Sequence, residues 1–373
     1  MRRLLLASVL LVSITQLITA QPTPGEAKGH GELVHAIAIS PDGKTFATAG
    51  FDKVVKVWEY TKDGIKEVKS LPGHTDQVYG VAFSHDGKRL ASSGQDKTVR
   101  IWTLPDGKTV QELKGHTDIV DTVAFSPDSK LVATGSGSAD KSVRLWNPDD
   151  GKEVKNLGTH NGSVYCVAFS PDGKLLASGG ADNVIKIWEI PGGKEFAQLK
   201  GHEMGVTGVV FAGDNKTLVS VSQDRTVRVW EVKANVEEKK DPKEVKVDPK
   251  DPKKVDPKDT KKDAKDPKVD PKDMKKDVKE EPKVIVKDPR ELKKFGPTPD
   301  DLYGVAWSKD AKAIVTAGYS GVISLWDLTD PKPKFTLKQK SLAYCITVTP
   351  DGKTALSGHQ NGFIYATPLT KGK

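Results

Sequence analysis

The sequence predicts an all-β fold built from one repeated unit of four short antiparallel strands. Within residues 73–102, the alternating apolar runs VYGVAFS and VRIW place side chains on two faces in turn, as β-strands do. The intervening HDGK predicts a hairpin, because an Asp-Gly pair supplies the positive φ angle that tight turns need. The unit recurs in register, with spacings of 44, 44, 42 and 42 residues between Trp58, Trp102, Trp146, Trp188 and Trp230.

A period of about 40–45 residues, four strands in each period and a Gly-His…Trp pattern are together typical of a propeller blade. On these repeats the chain resembles the WD-repeat β-propeller family over residues 30–232 and 290–366. An aspartate follows the tryptophan only at Trp326; other residues follow it in the remaining repeats. The resemblance implies a closed ring of seven blades, each a four-stranded antiparallel sheet.

The first six blades can be placed along the chain. The strands of blade one are predicted near residues 33–40, 45–50, 54–59 and 65–71, and blades two to five repeat this arrangement. Blade six, at residues 301–327, is a weaker copy. It keeps Trp326, but Ser320 stands at the place of the turn acid and no Gly-His pair precedes it.

Blade seven, at residues 342–368, is predicted to close the ring. Ala366 stands where the tryptophan is expected and Gln360 where the turn acid is expected. The chain stops seven residues after Ala366, before a fourth strand, which would leave an unpaired sheet edge. The resemblance implies that the N-terminal segment 21–28, at about Thr23 to Lys28, supplies the missing strand.

Residues 233–288 interrupt the repeat with six Asp-Pro-Lys triplets, 19 lysines and 16 acidic residues. Because no apolar period is present, this insert is predicted to be a disordered, solvated loop. The run RELKKFG at 290–296 resembles QELKGH at 111–116, an outer strand, so the insert falls between the third and fourth strands of blade five. One interpretation is an arm that anchors the protein to an anionic envelope polymer or a partner. The other is a tolerated loop expansion, because loop entropy grows slowly with length.

Residues 1–20 have the pattern of a secretory signal peptide. A basic start, Met1 to Arg3, precedes an apolar run and a small-residue site that ends at Ala20. Ser13 and Thr15 interrupt the apolar run, which argues against a spanning helix of about 20 apolar residues. We therefore expect an exported protein of the bacterial type, periplasmic or secreted, with an uncleaved anchor as the alternative.

The charge balance argues against a nucleic-acid partner. The formal net charge is +8 and the pI is about 9.1. Arg2 and Arg3 lie in the signal, and the insert holds an excess of three positive charges, so the repeats carry an excess of only three. That excess shows no dense Arg/Lys stripe, which is the usual electrostatic footprint of nucleic-acid binding.

The two cysteines occupy the same place in their repeats, within VYCVAF and AYCITV. In a propeller that place lies on the innermost strands of blades four and seven, across the channel from each other. A disulfide needs Cα atoms within about 7 Å, so Cys166 and Cys345 are predicted to be unpaired, buried, small residues.

The resemblance also implies a hydrogen-bonded tetrad in each full repeat, made of a loop His, a Ser or Thr, a turn Asp and the Trp. The implied sets are His30, Thr48, Asp52 and Trp58; His74, Ser92, Asp96 and Trp102; His160, Ser178, Asp182 and Trp188; and His202, Ser220, Asp224 and Trp230. Blade three offers His116, Asp140 and Trp146, but an extra residue in ATGSGSAD leaves its hydroxyl open. Blades six and seven lack the set and are predicted to form the less stable arc.

No pattern in the sequence indicates a cofactor, a metal or a catalytic site. The histidines of the repeats are about 40 residues apart and would lie around the ring, which argues against a metal centre. The sequence contains no nucleophile elbow, H-E-x-x-H, P-loop or C-x-x-C-H motif. The enzymatic alternative is an exported propeller hydrolase that uses Asp121, Asp301 and His35 at the channel opening on a small substrate.

The favoured hypothesis is a scaffold that binds a protein or peptide on the propeller face made by the Gly-His loops and the turns between second and third strands. At the exposed position of the first strand the chain has His35, Tyr79, Asp121, Tyr165, Thr207, Tyr303 and Tyr344. Before the turn acid it has Phe51, Gln95, Ala139, Ala181, Gln223, Tyr319 and His359. Five of the seven tyrosines in the chain are in these sets, and tyrosine is a common interface anchor. The alternative is that these tyrosines only line the channel.

Overall fold

The computed structural model describes residues 25–233, 288, 290–308 and 313–369. These residues form seven four-stranded antiparallel sheets and contain no helix. The innermost strands of neighbouring sheets contact one another all the way around, and the last sheet contacts the first. The fold is therefore a closed seven-bladed β-propeller, as the sequence predicts.

The first four blades are contiguous in sequence, and each runs from its innermost to its outermost strand. Blade one contains β2 (Val34–Ile39), β3 (Thr45–Gly50), β4 (Val54–Thr61) and β5 (Gly64–Pro72). Blade two contains β6 (Val78–Phe83), β7 (Arg89–Gly94), β8 (Val99–Thr103) and β9 (Thr109–Leu113). Blade three contains β10 (Val120–Phe125), β11 (Val132–Ser136), β12 (Ser142–Trp146) and β13 (Glu153–Thr159). Blade four contains β14 (Val164–Phe169), β15 (Leu175–Gly180), β16 (Val184–Glu189) and β17 (Glu195–Lys200).

The last three blades include the insertion and the ring closure. Blade five contains β18 (Val206–Phe211), β19 (Thr217–Ser222), β20 (Val227–Glu231) and β21 (Glu291–Phe295). Blade six contains β22 (Leu302–Ser308), β23 (Ala313–Gly318), β24 (Val322–Asp327) and β25 (Pro333–Lys338). Blade seven contains β26 (Ala343–Val348), β27 (Thr354–His359), β28 (Phe363–Pro368) and, from the other end of the chain, β1 (Glu26–Lys28).

The turn between the first and second strands is built as the Asp-Gly signal predicts. In blade two, the Ser84 hydroxyl donates to Asp86 Oδ1 at 2.6 Å, and the amide of Arg89 donates to Ser84 Oγ at 2.9 Å. Gly87 has a φ of 70°, a conformation that a residue without Cβ adopts at little cost. The repeat of this turn fixes the register of the two innermost strands in most blades.

The hydrophobic core is divided among the contacts between neighbouring blades. The second strand of each blade is buried on both faces, since its side chains meet both adjoining sheets. One cluster joins Val55 and Val57 of blade one to Phe83, Leu90 and Trp102 of blade two, and similar clusters follow around the ring. No blade buries its apolar surface alone, so the ring stabilises every blade in it.

The two ends of the described chain meet in blade seven. β1 pairs antiparallel with β28, and Ala27 is opposite Ile364. The amide of Gly29 donates to the carbonyl of Gly362 at 2.9 Å, and Lys340 Nζ lies 3.1 Å from Glu26 Oε2. The closing strand thus comes from the segment in which the sequence analysis places it.

The insert lies where the outer-strand resemblance places it. β20 and β21 are neighbouring strands of blade five, and residues 234–287 run between them in the sequence. Those residues lie outside the described part of the chain, as does the predicted signal peptide, residues 1–20. The predictions of disorder and of export therefore stay predictions.

The register of blade seven corrects the sequence analysis by one residue. Ala355 pairs with Thr367 as Phe46 pairs with Trp58 in blade one, so Thr367, not Ala366, takes the place of the tryptophan. By the same register Asn361, not Gln360, takes the place of the turn acid. The exposed position before that acid belongs to Gln360, whereas His359 takes the place of Gly50 and is fully buried.

Candidate functional site

The tetrad of blade two shows how these residues support the loop that follows each outer strand. His74 Nε2 lies 2.8 Å from Ser92 Oγ, and Trp102 Nε1 donates to the same oxygen at 2.8 Å. His74 Nδ1 lies 2.8 Å from Asp96 Oδ2. All these contacts are satisfied by a neutral imidazole with its hydrogen on Nδ1, because the carboxylate can only accept and the hydroxyl then donates to Nε2.

The same arrangement is present in every blade from one to five. Its hydrogen bonds measure 2.7–3.2 Å and link His30, Thr48, Asp52 and Trp58; His116, Thr134, Asp140 and Trp146; His160, Ser178, Asp182 and Trp188; and His202, Ser220, Asp224 and Trp230. The hydroxyl left open in blade three is that of Thr134. Thr134 and Trp146 are 12 residues apart, against 10 in the other blades, so the turn is two residues longer, not one.

The turn aspartates of the tetrads are held in their ionised form. Burial opposes ionisation of Asp96, but hydrogen bonds from His74, Thr98 and the Thr75 amide more than offset it and hold the pKa well below its ordinary value. In the same way the pKa of Asp140 is lowered to about 2, although burial again opposes this. Each carboxylate therefore ties the loop that carries the tetrad histidine to a turn of its blade, and this fixes one face of the ring.

A second repeated contact covers the tryptophans and was not predicted from the sequence. Two residues before the tryptophan, blades one to five carry a basic residue that lies near a glutamate of the outer strand. The pairs are Lys56 with Glu67, Arg100 with Glu112, Arg144 with Glu153, Lys186 with Glu195, and Arg228 with Glu291. Lys56 Nζ also lies 5.7 Å from the Trp58 ring. The Lys or Arg two positions before each of these tryptophans is the sequence feature from which this contact could have been predicted.

Blades six and seven replace the tetrad with partial substitutes. In blade six, Trp326 Nε1 donates to Thr316 Oγ1 at 2.9 Å, and no histidine is present. In blade seven, the buried His359 lies 2.8 Å from Ser357 Oγ. A histidine of the second strand thus makes the contact that the loop histidine makes in blades one to five. Gln339 donates to Thr367 at 2.7 Å.

The channel mouth is the opening lined by one residue from the innermost strand of each blade. These are His35, Tyr79, Asp121, Tyr165, Thr207, Tyr303 and Tyr344, joined by Gln223 of a neighbouring turn, and they enclose a cavity of about 250 Å³. The structure thus brings together all seven residues that the repeat register places at this position. A deeper cavity of about 270 Å³ continues into the channel.

Aromatic rings form a continuous arc along one side of the channel mouth. His35 stacks on Phe51, with ring centroids 5.4 Å apart, and lies 4.8 Å from Tyr79. Tyr303 lies 5.2 Å from Tyr344 and 6.0 Å from Tyr319, and Tyr344 lies 6.4 Å from His35. Phe51 and Tyr319, the aromatic residues before the turn position, therefore extend the arc outward, and Tyr319 is 47% exposed.

The polar side chains at the channel mouth differ in whether they already have a hydrogen-bond partner. His35 Nδ1 donates to the Tyr79 carbonyl at 2.6 Å, and burial lowers the pKa of this histidine. Thr207 Oγ1 donates to the Leu302 carbonyl at 2.6 Å. Burial, with a smaller contribution from the charge of Asp118, raises the pKa of Asp121 to about 7. No hydrogen bond of the Asp121 side chain is among the described contacts, so this carboxyl is available to a ligand.

The three groups of the enzymatic alternative are not all brought to this opening. His35 and Asp121 line the channel mouth, whereas Asp301 does not. The Asp301 carbonyl accepts a hydrogen bond from the Tyr319 amide at 2.9 Å. Two of the three residues therefore lie at the channel mouth, and one of these two, His35, is hydrogen-bonded to the neighbouring blade.

The cysteines are unpaired and buried. Burial raises the pKa of both thiols to about 12, which keeps them protonated at neutral pH. Cys166 Sγ lies 3.6 Å from the Val206 carbonyl, and Cys345 Sγ lies 3.6 Å from the Val34 carbonyl. Their contacts are those of small residues packed between adjacent blades.

The described part of the chain has neither a metal-binding cluster nor a membrane-spanning helix. Across residues 25–233 and the later described ranges, no group of three or more His, Cys, Asp or Glu side chains is arranged to hold a metal ion. Within the same ranges there is no helix with the length and apolar character needed to cross a bilayer.

Comparison with known proteins identifies the repeat. The family described as WD40: WD domain, G-beta repeat, matches residues 24–59, 65–103, 107–147, 151–189, 193–231 and 290–327. Blade seven, which lacks the tetrad tryptophan, contributes only β1 to these matches. No curated protein sequence matches the chain. Because the six matched repeats span more than half of its residues, the chain belongs to the WD40 repeat family, whose propellers are commonly protein-interaction scaffolds.

Proposed function

We propose that this protein is a non-catalytic scaffold that binds a protein or peptide at the channel mouth. The observation that carries the proposal is the convergence of seven innermost-strand residues, four of them tyrosines, on one cavity of about 250 Å³. Tyrosine combines a large apolar ring with a polar hydroxyl, and binding energy at interfaces concentrates in such residues. Tyr165 at this opening is 37% exposed, so contact area is available beside the cavity.

The charge at the channel mouth favours a basic side chain in the partner. Among the described residues that line it, Asp121 is the one carboxylate, and none is a lysine or arginine. An ammonium or guanidinium group beside Asp121 would lower its raised pKa and would also meet the faces of the surrounding rings. Binding should therefore strengthen as the pH rises through about 7, where Asp121 ionises in the free protein.

The proposal places this binding outside the cytoplasm. This part of the proposal rests on the signal-peptide pattern of residues 1–20. An assay of the mature chain in a periplasmic or secreted fraction tests this part, and a chain found only in the cytoplasm with residues 1–20 retained would contradict it.

A displayed library of random peptides provides the test of binding. Peptides are selected on the immobilised propeller and measured against a variant with Tyr79, Tyr165 and Tyr303 changed to alanine. A matched control changes Val68, Val110 and Val154, which are 45–50% exposed on outer strands, to alanine.

We expect selected peptides to be enriched in Lys and Arg. They should lose at least about tenfold in affinity for the tyrosine variant, since a single hot-spot truncation commonly costs that much. Affinity for the valine variant should be unchanged. Equal binding of both variants would refute the assignment of the face.

A further inference from the structure

Aromatic side chains occupy most of the positions around the channel mouth. In blade order the seven innermost-strand residues are His35, Tyr79, Asp121, Tyr165, Thr207, Tyr303 and Tyr344. Five of these seven positions carry an aromatic ring, and together the residues enclose a cavity of about 250 Å³. A group that enters this cavity therefore meets rings from several blades at once.

The rings of blades six, seven, one and two form a curved wall on one side of the cavity. Ring centroids are 5.2 Å apart for Tyr303 and Tyr344, and 6.4 Å apart for Tyr344 and His35. Those of His35 and Tyr79 are 4.8 Å apart. The planes of these neighbours are tilted by 32° to 59°, so the rings are not stacked flat on one another. Tyr165, in blade four, lies across the opening and is 37% exposed, so solvent reaches the cavity there.

Asp121 is the one carboxylate among the described residues of this lining, which include no lysine or arginine. It stands between Tyr79 and Tyr165, the residues of the two neighbouring blades. Burial raises the pKa of its carboxyl to about 7, with a smaller contribution from the charge of Asp118. A cation in the cavity would compensate the carboxylate for the water that it has lost.

The kind of cation that fits depends on how many N–H groups it carries. A primary ammonium has three N–H donors and a guanidinium has five. The charged acceptors of the lining are the two oxygens of Asp121, so most of these donors would have to point at rings or keep their water. A trimethylammonium group has no N–H, and its methyl groups carry the positive charge directly onto ring faces. An enclosure of aromatic faces is the usual protein site for such a quaternary ammonium.

We propose that the channel mouth binds a trimethylammonium group, held by cation–π contact with the surrounding rings and by charge attraction to Asp121. This group is the part of the partner that enters the cavity, so its binding rests on the proposed function of the same site. The chemistry has two sources, a trimethylated lysine of a peptide and a free molecule such as choline.

The test compares small molecules by ¹H NMR with the whole protein. Choline carries the trimethylammonium group, 3,3-dimethyl-1-butanol has the same shape without the charge, and ethanolamine has the charge without the methyl groups. The equivalent methyl protons of choline and of the butanol each give a single resonance, which moves upfield when the methyl groups lie against aromatic faces. Charge attraction without such contact does not produce this shift.

We expect the choline methyl resonance to move upfield saturably. The butanol should bind at least about tenfold more weakly, because it gains neither the cation–π contact nor the charge attraction. Ethanolamine should displace choline only with an affinity at least about tenfold lower, since its N–H donors lose water without finding acceptors. An N-acetyl-trimethyllysine amide is titrated in parallel with choline, and the tighter of the two identifies the source.

Two substitutions test whether this binding occurs in the channel mouth. Tyr344→Leu keeps an apolar side chain but removes a ring from the curved wall, so it should weaken choline binding at least about fivefold. Asp121→Asn should weaken it by a similar factor at pH 8, where the wild-type carboxyl is ionised, and should leave 3,3-dimethyl-1-butanol unaffected. Tyr60→Leu is the matched control, since Tyr60 lies in β4 outside the lining and its loss should leave choline affinity unchanged.

Two kinds of result would overturn the proposal. One is choline that gives no saturable shift, or that binds no more tightly than 3,3-dimethyl-1-butanol or ethanolamine. The other is choline binding that both Tyr344→Leu and Asp121→Asn leave unchanged. Either result is separate from a failure of the scaffold proposal, which depends on whether selected peptides need Tyr79, Tyr165 and Tyr303.

Discussion

A single methyl group tests how closely the His30 imidazole packs against Gly50 of blade one. The perturbation is Gly50→Ala compared with Gly318→Ala, at equivalent places before the turn acid. The added Cβ on Gly50 would lie 2.3 Å from His30 Nδ1 and 2.5 Å from Asp52 Oδ1, closer than such atoms can approach. The added Cβ on Gly318 would lie 3.5 Å from Asp300 Oδ2, an ordinary contact.

The expected free energies of unfolding follow from these distances. Overpacking at Gly50 costs about 1–3 kcal/mol. Displacement of the His30 hydrogen bond adds about 1 kcal/mol. At Gly318 the substitution meets no clash and restricts the unfolded chain, which stabilises by about 0.4–1 kcal/mol. We therefore expect the two variants to differ by at least about 2 kcal/mol and to change stability in opposite directions.

Urea denaturation followed by tryptophan fluorescence measures the difference as a shift in the transition midpoint. Gly192→Ala is the matched control, since a Cβ there would have no neighbour within 4 Å. Equal destabilisation by Gly50→Ala and Gly318→Ala would refute the difference in packing at these two glycines. Full tolerance of Gly50→Ala would refute the close packing of the tetrad.

Three further predictions concern the tetrad hydroxyl, the channel carboxylate and the ring closure. Ser92→Ala should lower the free energy of unfolding by about 1–3 kcal/mol, because it leaves the Trp102 N–H without its acceptor. Ser93→Ala should be neutral or stabilising in urea titrations, since the buried Ser93 hydroxyl has no partner. Asp121→Asn should raise the melting temperature at pH 8 and leave it unchanged at pH 3, below the ordinary pKa of the carboxyl. The raised pKa of about 7 means that the folded wild type loses stability from this carboxyl as the pH rises from its ordinary pKa through 7; an equal effect at both pH values would contradict this. A chain that begins at Gly29 lacks β1 and leaves β28 unpaired, so it should melt lower and associate at high concentration, as light scattering would show.

The repeat pattern was sufficient to predict the ring, four complete tetrads, three members of the fifth and the residues of the channel mouth. This is because a period of two along a strand fixes which side chains share a face once the register is known. The tryptophan supplied that register in blades one to six. Every innermost-strand position assigned from it lines the same opening, from His35 in blade one to Tyr344 in blade seven.

The prediction was wrong where the pattern had no anchor. Blade seven has no tryptophan, so its register was placed one residue off and the buried His359 was assigned to the exposed face. In blade three the turn is longer, so the spacing of the residues could not identify Thr134 as the hydroxyl of the tetrad. A cavity of about 390 Å³ beside Trp326 was also beyond prediction, since its lining includes Ser324 and Pro333, which come from separate strands.

The central claim, that the channel mouth is where a partner binds, can be tested with the seven tyrosines of the chain. The protein is labelled with 3-fluorotyrosine, and ¹⁹F resonances are followed as a selected peptide is added. We predict that Tyr79, Tyr165, Tyr303, Tyr319 and Tyr344 shift while Tyr60 of blade one and Tyr365 of blade seven do not. Shifts at Tyr60 or Tyr365 with the other five unmoved would contradict the claim.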